Sequence, residues 1–257
     1  LGLYDLSAEE IDEILTVGMS MKKLLRQNIK KLPHLQGKSV TTLFYENSTR
    51  TRCSFELAAK YMGAHVVNIA AASSSVQKGE TLVDTGKTLD AMKNDVIVIR
   101  HPMGGAPRLL AKTVRAHVVN AGDGMNEHPS QALLDMLTMR ENFASLQGLK
   151  VAILGDILHS RVAKSNLFGL KKMGAEVTMF GKLGRDANGE EMLETCRKAG
   201  IHTEDVLFDP VLASGCSVII LEEKPGESTK NRIIVISGSN MTYTKTEAES
   251  MNHKIRN

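Results

Sequence analysis

Tryptophan is absent from the 257 residues, and six phenylalanines and four tyrosines are the whole aromatic complement, 4% of the chain. Nucleic-acid binders concentrate basic side chains in a stripe and often interleave stacking rings. Here Lys+Arg number 32 against 29 Asp+Glu and are spread along the chain, so a nucleic-acid partner is not expected. Cysteine is equally sparse. Cys53, Cys196 and Cys216 are odd in number, far apart and in no CxxC pair, which argues against a disulfide framework or a zinc site and for a reducing, cytoplasmic setting. Packing is the expected role of Cys53 and Cys196. No apolar run approaches the roughly 20 residues of a membrane-spanning helix, and the chain, which begins at Leu1, has no signal-peptide pattern, so no membrane partner is expected either.

What is present is ordinary soluble-globular material, 42% hydrophobic and 24% charged, in a chain long enough for one large or two modest domains. Ser7-Ala8-Glu9-Glu10 reads as a capping box. It opens a helix expected to run to about Lys31, with Ile11, Ile14, Leu15, Leu24 and Leu25 as its apolar face and Pro33 as its stop. Short β-rich runs at 40–45, 65–70, 95–100 and 117–121 then alternate with helical patterns starting near Thr49, Thr81 and Pro107 and after Pro129. A second alternation follows: a strand at 151–155, a helix at 161–173, a strand at 176–180, a helix at 190–198 and a strand at 217–221. Such alternation indicates α/β architecture with parallel sheets covered on both faces. The boundary falls within 142–149, giving two doubly wound parallel-sheet domains, 1–145 and 146–257.

Ligands of open α/β sheets bind beyond the carboxyl ends of the strands, and four polar clusters sit at such ends. Ser48-Thr49-Arg50-Thr51-Arg52 places hydroxyls, arginines and free N–H groups at a helix start, which suits an anion; the plainer reading is an ordinary N-cap with solvated arginines. Arg100-His101-Pro102 ends a buried strand with a charge, which has few structural uses beyond snorkelling. In His128-Pro129-Ser130-Gln131 the proline fits the first helical position, so His128 is the expected N-cap and Gln131 lies in the first turn, both facing one ligand. Ser73-Ser74-Ser75-Val76-Gln77-Lys78-Gly79-Glu80-Thr81 reads by itself as a solvated loop. There is no GxSxG, GxxxxGK[ST] or GxGxxG, and Gly155-Asp156 is only a fragment of a dinucleotide turn. The clusters supply cations and hydrogen-bond donors but no evident nucleophile. That chemistry suits a reaction between two bound substrates, catalysed by positioning and oxyanion stabilisation.

In order and spacing, Ser48-Thr49-Arg50-Thr51-Arg52, Lys78-Gly79-Glu80-Thr81, Arg100-His101-Pro102 and His128-Pro129-Ser130-Gln131 resemble the transcarbamoylases, over about residues 3–215. Within them the chain is most similar to the aspartate carbamoyltransferase catalytic chains. The ornithine enzymes share an S-x-R-T-R motif but usually carry cysteine where this chain has Ser130, and Gly155-Asp156-Ile157-Leu158-His159-Ser160-Arg161 also matches the aspartate enzymes. The resemblance implies that Ser48, Thr49, Arg50 and Thr51 hold the phosphate of carbamoyl phosphate, with Arg100 reaching it. It implies that Arg100, Thr51 and His128 polarise the carbamoyl carbonyl and that Gln131 orients the carbamoyl amide. Ser74 and Lys78 would arrive from a neighbouring subunit of a homotrimer, and a zinc-bearing regulatory subunit would keep its metal on another chain. Arg161 would bind an aspartate carboxylate, braced by Glu46 across the cleft. The product would be N-carbamoyl-L-aspartate, for pyrimidine biosynthesis, with no cofactor and no metal.

The resemblance fades at about residue 217. Where the family places R-x-Q for the aspartate side chain and, further on, H-P-x-P, this chain reads Leu221-Glu222-Glu223-Lys224-Pro225-Gly226-Glu227-Ser228-Thr229-Lys230. The second domain is therefore expected to be incomplete or divergent and the activity impaired. Two other readings stand beside the enzyme: a non-catalytic carbamoyl-phosphate-binding paralogue, which needs only the first-domain residues, and a nucleotide-binding oxidoreductase, which rests on the α/β pattern alone.

Overall fold

The computed structural model describes residues 1–70, 80–155, 160–222, 230–236 and 238–250. Its first half runs α1 (Ala8–Arg26), β1 (Ser39–Phe44), α2 (Thr49–Tyr61), β2 (His65–Ala70), α3 (Leu82–Ala91), β3 (Val96–His101), α4 (Ala106–Thr113), β4 (His117–Asp123) and α5 (Pro129–Asn142). The four strands form one parallel sheet in the order β2-β1-β3-β4. Leu43, Ile97 and Ile99 enter one buried cluster, and their strand neighbours Val40, Phe44 and Val98 enter another. Successive strand residues face opposite ways, so two apolar clusters mean that both faces of the sheet are covered, as in a doubly wound fold.

The strand order reverses between β1 and β3, because the chain passes from β1 to β2 on one side and then returns to the other. The crevice beyond the carboxyl ends of strands at such a switch point is where open α/β sheets bind ligands. Phe44, the last residue of β1, pairs with Arg100 of β3. Topology therefore brings the segment after β1 and Arg100, next to last in β3, to the same edge.

The second half begins β5 (Lys150–Leu154), α6 (Arg161–Lys172), β6 (Glu176–Gly184), α7 (Ala187–Lys198) and β7 (Val206–Asp209). These strands form a parallel sheet in the order β5-β6-β7. β6 extends past the expected 176–180 to nine residues; residues 176–180 pair with β5, whereas 181–184 pair with β7. β7 is a four-residue strand too short for its pattern to signal one. The strand expected at 217–221 exists as β8 (Cys216–Glu222), but it pairs antiparallel with β9 (Lys230–Ile236) in a separate ribbon rather than extending the parallel sheet. A 3-10 turn (Gly238–Thr242) and α8 (Lys245–Ser250) follow.

The capping box forms as read: Ser7 N–H donates to Glu10 Oε2 at 2.7 Å, and Glu10 N–H donates to Ser7 Oγ at 3.2 Å. α1 nonetheless stops at Arg26, well before Pro33. Asn28 adopts a left-handed φ of 58°, and the Ile29 and Asn28 N–H groups close back on the Leu24 and Leu25 carbonyls. This is a Schellman ending, and Asn tolerates the left-handed position it needs. Of the expected apolar face only Ile11 and Leu15 are buried, while Ile14 and Leu25 are 42% and 46% exposed. Ile11 and Leu15 join Met136 of α5, Leu167 and Leu170 of α6 and Val177 and Met179 of β6 in one cluster. That cluster fixes α5 against α6 and so sets the two sheets' loops around a common cleft.

Candidate functional site

Ser48, Arg50, Thr51, Arg100, His128, Gln131 and Arg161 all line one cleft of about 810 Å³. They come from the N-cap and first turn of α2, the end of β3, the N-cap and start of α5 and the start of α6. Thr49, named with them from the sequence, is the exposed first residue of α2 and is not among the lining residues. Ser74 and Lys78 lie outside the described residues, as do 156–159 of the loop before Arg161.

The ordinary N-cap reading of Ser48 is not what the structure shows. Ser7, Thr81, Ser160 and Asp186 each accept a backbone N–H at the helix they begin. Ser48 and His128 occupy the same position at α2 and α5, and neither side chain makes such a bond. α2 thus keeps its leading N–H groups without a side-chain cap, whereas α5 opens on Pro129, which has no N–H, and its Gln131 N–H donates to the His128 carbonyl at 3.0 Å. Orphan N–H groups and the positive end of the helix dipole are what an anion needs.

Glu46 organises the cations above them. Arg100 Nε donates to Glu46 Oε2 at 2.8 Å, and Arg161 donates from Nη2 to Oε2 at 2.9 Å and from Nη1 to Oε1 at 3.3 Å. Arg161 Nη1 also donates to the Gly124 carbonyl at 2.9 Å. Burial pushes the Glu46 carboxyl up, but the bonds and charges of Arg161 and Arg100 outweigh it and hold the group below the usual range. Burial and the neighbouring Arg161 charge lower the Arg100 guanidinium, and Glu46 offsets part of this; a guanidinium in a protein nonetheless stays protonated. The arrangement leaves two cations around one anion, a local excess of positive charge facing the cleft. Gly122 is part of its construction: at φ 133° it has no Cβ, and one would stand 3.2 Å from Arg100 Nη1 and 3.3 Å from Arg161 Cζ.

His128 is buried, with Nε2 3.4 Å from Arg100 Nη1 and Nδ1 3.4 Å from Ser130 Oγ. A guanidinium only donates, so Nε2 is the acceptor in that contact and the proton of the neutral ring belongs on Nδ1. Burial, then the charges of Arg100 and Arg161, push the imidazole pKa down to about 4. It is therefore neutral near pH 7, able to serve a substrate oxygen as a hydrogen-bond donor without adding charge. The unfolded chain takes up this proton near its ordinary 6.5 and the folded chain only near 4, so acidification across that window favours unfolding, by on the order of 3 kcal/mol in total. In urea melts, the stability gap between the unaltered chain and His128→Gln is expected to narrow from pH 7 to pH 4.5. A constant gap would show that His128 is not held neutral.

Three supporting groups lack a motif. Glu127, buried, accepts the Leu3 N–H at 2.8 Å and the Ser165 hydroxyl at 3.0 Å, while Ser165 Oγ accepts the His128 N–H at 2.9 Å. The loop carrying His128 is thereby tied to α6 and to the start of the chain. Asp135, one helical turn after Gln131, also lines the cleft; only the i, i+4 spacing from Gln131 signals it in the sequence.

A sequence model of the aspartate/ornithine carbamoyltransferase carbamoyl-phosphate-binding domain matches residues 1–141, and one of the pfkB family carbohydrate kinases matches residues 165–255. The aspartate carbamoyltransferase catalytic subunit of Ruminiclostridium cellulolyticum is 68% identical over 181 residues, 70% of this chain and 58% of the relative. That of Acetivibrio thermocellus is 59% identical over 212 residues, 80% of this chain and 68% of the relative. The chain thus spans roughly three-fifths to two-thirds of the length of these curated relatives. Among solved structures, the aspartate transcarbamoylase of Trypanosoma cruzi in complex with carbamoyl phosphate and aspartate superimposes with a TM-score of 0.69 at 31% identity. The match covers 81% of this chain and 65% of that one. Its complex with carbamoyl phosphate alone gives 0.68 at 32% identity, covering 80% and 67%.

Proposed function

The chain belongs to the aspartate/ornithine carbamoyltransferase family, and from that premise we propose that it binds carbamoyl phosphate and transfers the carbamoyl group to the amine of L-aspartate. The observation that carries this reading is the convergence of Ser48, Arg50, Thr51, Arg100, His128, Gln131 and Arg161 on one cleft at the switch point of the first sheet. In this reading the uncapped start of α2 and the Arg50 fork take the phosphate, and Arg100 turns from Glu46 to reach it. Thr51, Arg100 and neutral His128 surround the carbamoyl oxygen and stabilise the negative charge that develops on it, without a nucleophile from the protein. For His128 to donate from Nε2, its proton must move from Nδ1 once Arg100 has turned away. Gln131 orients the carbamoyl amide. The neutral aspartate amine attacks the carbamoyl carbon, the C–O bond to phosphate breaks, and the phosphate departs among the cations, taking up the proton that the amine nitrogen gives up.

Residues 1–145 form the carbamoyl-phosphate side in this proposal, and 146–257 the domain that contributes Arg161 to aspartate. The kinase-model match over 165–255 and the antiparallel β8–β9 ribbon support a composite second domain, in which residues beyond α6 do not supply the rest of an aspartate site. The proposal extends to a cytoplasmic homotrimer in pyrimidine biosynthesis, with Ser74 and Lys78 reaching a neighbour's cleft and a regulatory subunit as a further partner.

The test is to offer aspartate and ornithine separately with carbamoyl phosphate and identify the product by mass, alongside calorimetric titration of carbamoyl phosphate. Carbamoyl-aspartate alone is the expected product. Carbamoyl-ornithine would overturn the substrate assignment, and failure to bind carbamoyl phosphate would overturn the reading altogether.

A further inference from the structure

We propose that Asp135 is a positioning residue that fixes the amide of Gln131 and thereby sets selectivity for a carbamoyl over an acetyl group; this rests on the carbamoyl-phosphate reading of the cleft. Gln131 and Asp135 lie one turn apart on α5, both lining the cleft. Gln131 Nε2 donates to Asp135 Oδ1 at 3.0 Å, and from α6 the Asn166 Nδ2 donates to Oδ2 of the same carboxylate at 2.7 Å.

A carboxylate accepts and does not donate, so the Gln131 amide must turn an N–H toward Asp135 whichever way it is drawn. That settles the orientation of its other end: Oε1 is directed away from the carboxylate and, among the described residues, accepts no hydrogen bond. An amide held in this sense presents an acceptor to the ligand. A carbamoyl group carries an NH2 that donates to it, whereas the methyl of an acetyl group of nearly the same size does not. Without Asp135 the Gln131 amide turns over freely and offers a donor as readily as an acceptor.

Asn166 shows how firmly the carboxylate is held. It is 9% exposed, its N–H goes to Asp135, and its Oδ1 is buried with no hydrogen-bond partner among the described residues. Turning the Asn166 amide over would set its oxygen against the Asp135 carboxylate, so the orphaned oxygen is tolerated. Asp135 is thus pinned from α6 and in turn pins Gln131, which gives the cleft a fixed acceptor rather than a rotating amide.

The experiment measures dissociation constants of carbamoyl phosphate, acetyl phosphate and inorganic phosphate for the unaltered chain, Asp135→Leu and Asn166→Ala. The unaltered chain is expected to favour carbamoyl over acetyl phosphate. In Asp135→Leu that ratio is expected to fall about ten-fold, with inorganic phosphate held within two-fold. Asn166→Ala, which loosens α5 against α6 but leaves the carboxylate on Gln131, is expected to keep most of the preference. An unchanged ratio in Asp135→Leu, or a parallel loss for all three ligands, would overturn the assignment and leave Asp135 a structural tie. An unaltered chain that holds carbamoyl phosphate no better than inorganic phosphate would overturn the parent reading and this one with it.

Discussion

Replacing Arg100 by alanine is expected to lower carbamoyl transfer by about 100- to 1000-fold, the loss typical of one preorganised donor to a developing oxyanion. It is also expected to weaken carbamoyl-phosphate binding at least about ten-fold through the lost charge-assisted contact. Three features make Arg100 the most exacting residue of the cleft. It is the next-to-last residue of β3 at the switch point, so the sheet aims it. Its side chain is only 13% exposed, so little water screens its charge. It touches both Glu46 and His128, at 2.8 and 3.4 Å, and so, in the proposed reading, joins the phosphate, carbonyl and amino-acid sides. The fold is expected to survive, because Glu46 keeps two bonds to Arg161 when Arg100 is removed. Arg100→Lys separates charge from shape: an ammonium restores the field but not the planar fork, and an intermediate loss is expected. Steady-state rates and calorimetric affinities on folded protein check both variants. An alanine variant that binds and turns over like the unaltered chain would remove Arg100 from the mechanism.

The parts of this site legible in the sequence are those in which several chemical residues stand side by side. Ser48 to Arg52, Arg100-His101-Pro102 and His128 to Gln131 are contiguous because each lies at the end of a strand or the start of the helix that follows, along one edge of the sheet, and such a junction delivers neighbours in sequence to neighbouring positions in space. The alternating strands of the first sheet are legible for a similar reason, since each has an apolar face toward each covering layer. What is not legible is set by packing between distant segments. Glu127 and Ser165 are 38 positions apart, and nothing local marks either as the anchor of the His128 loop. Gly122 is one of several glycines in its stretch, and its role emerges only from where two arginine side chains cross. Glu46 is reachable through the resemblance alone. At the end of α1 a quiet local signal outweighs a louder one: Asn28 stops the helix, and Pro33 merely follows. In the second half, the handover of β6 from β5 to β7 and the antiparallel ribbon depend on partners that no single segment encodes.

That second half leads to the other large effect. At saturating carbamoyl phosphate, kcat/KM for aspartate is expected to be about 30- to 1000-fold below that of the Acetivibrio thermocellus relative, while carbamoyl-phosphate affinity stays within a few-fold. The first-sheet side of the cleft is assembled, so in the proposed reading the first substrate has its cations and N–H groups. Aspartate carries two carboxylates, and on the α6 side, among the described residues, Arg161 alone lines the cleft as a cation; its guanidinium is already shared with Glu46 and the Gly124 carbonyl. Lys182, which could otherwise contribute charge from β6, is bound to Glu247 at 2.8 Å and lies 3.6 Å from Asp209. The segment where the family carries its side-chain arginine reads Leu221-Glu222-Glu223-Lys224 here, and β8 belongs to the ribbon rather than to the sheet that carries the cleft. One absent charge-assisted clamp costs about 2–4 kcal/mol of transition-state binding, which converts to the expected deficit. Because the loss falls on the second substrate, it should raise the aspartate KM more than it lowers the rate of a bound complex, and succinate, an aspartate lacking its amine, should compete only weakly. A chain matching the relative's kcat/KM would show that a second cation reaches the β-carboxylate from elsewhere in the assembly. It would also return the segment beyond α6 to the ordinary architecture of the family.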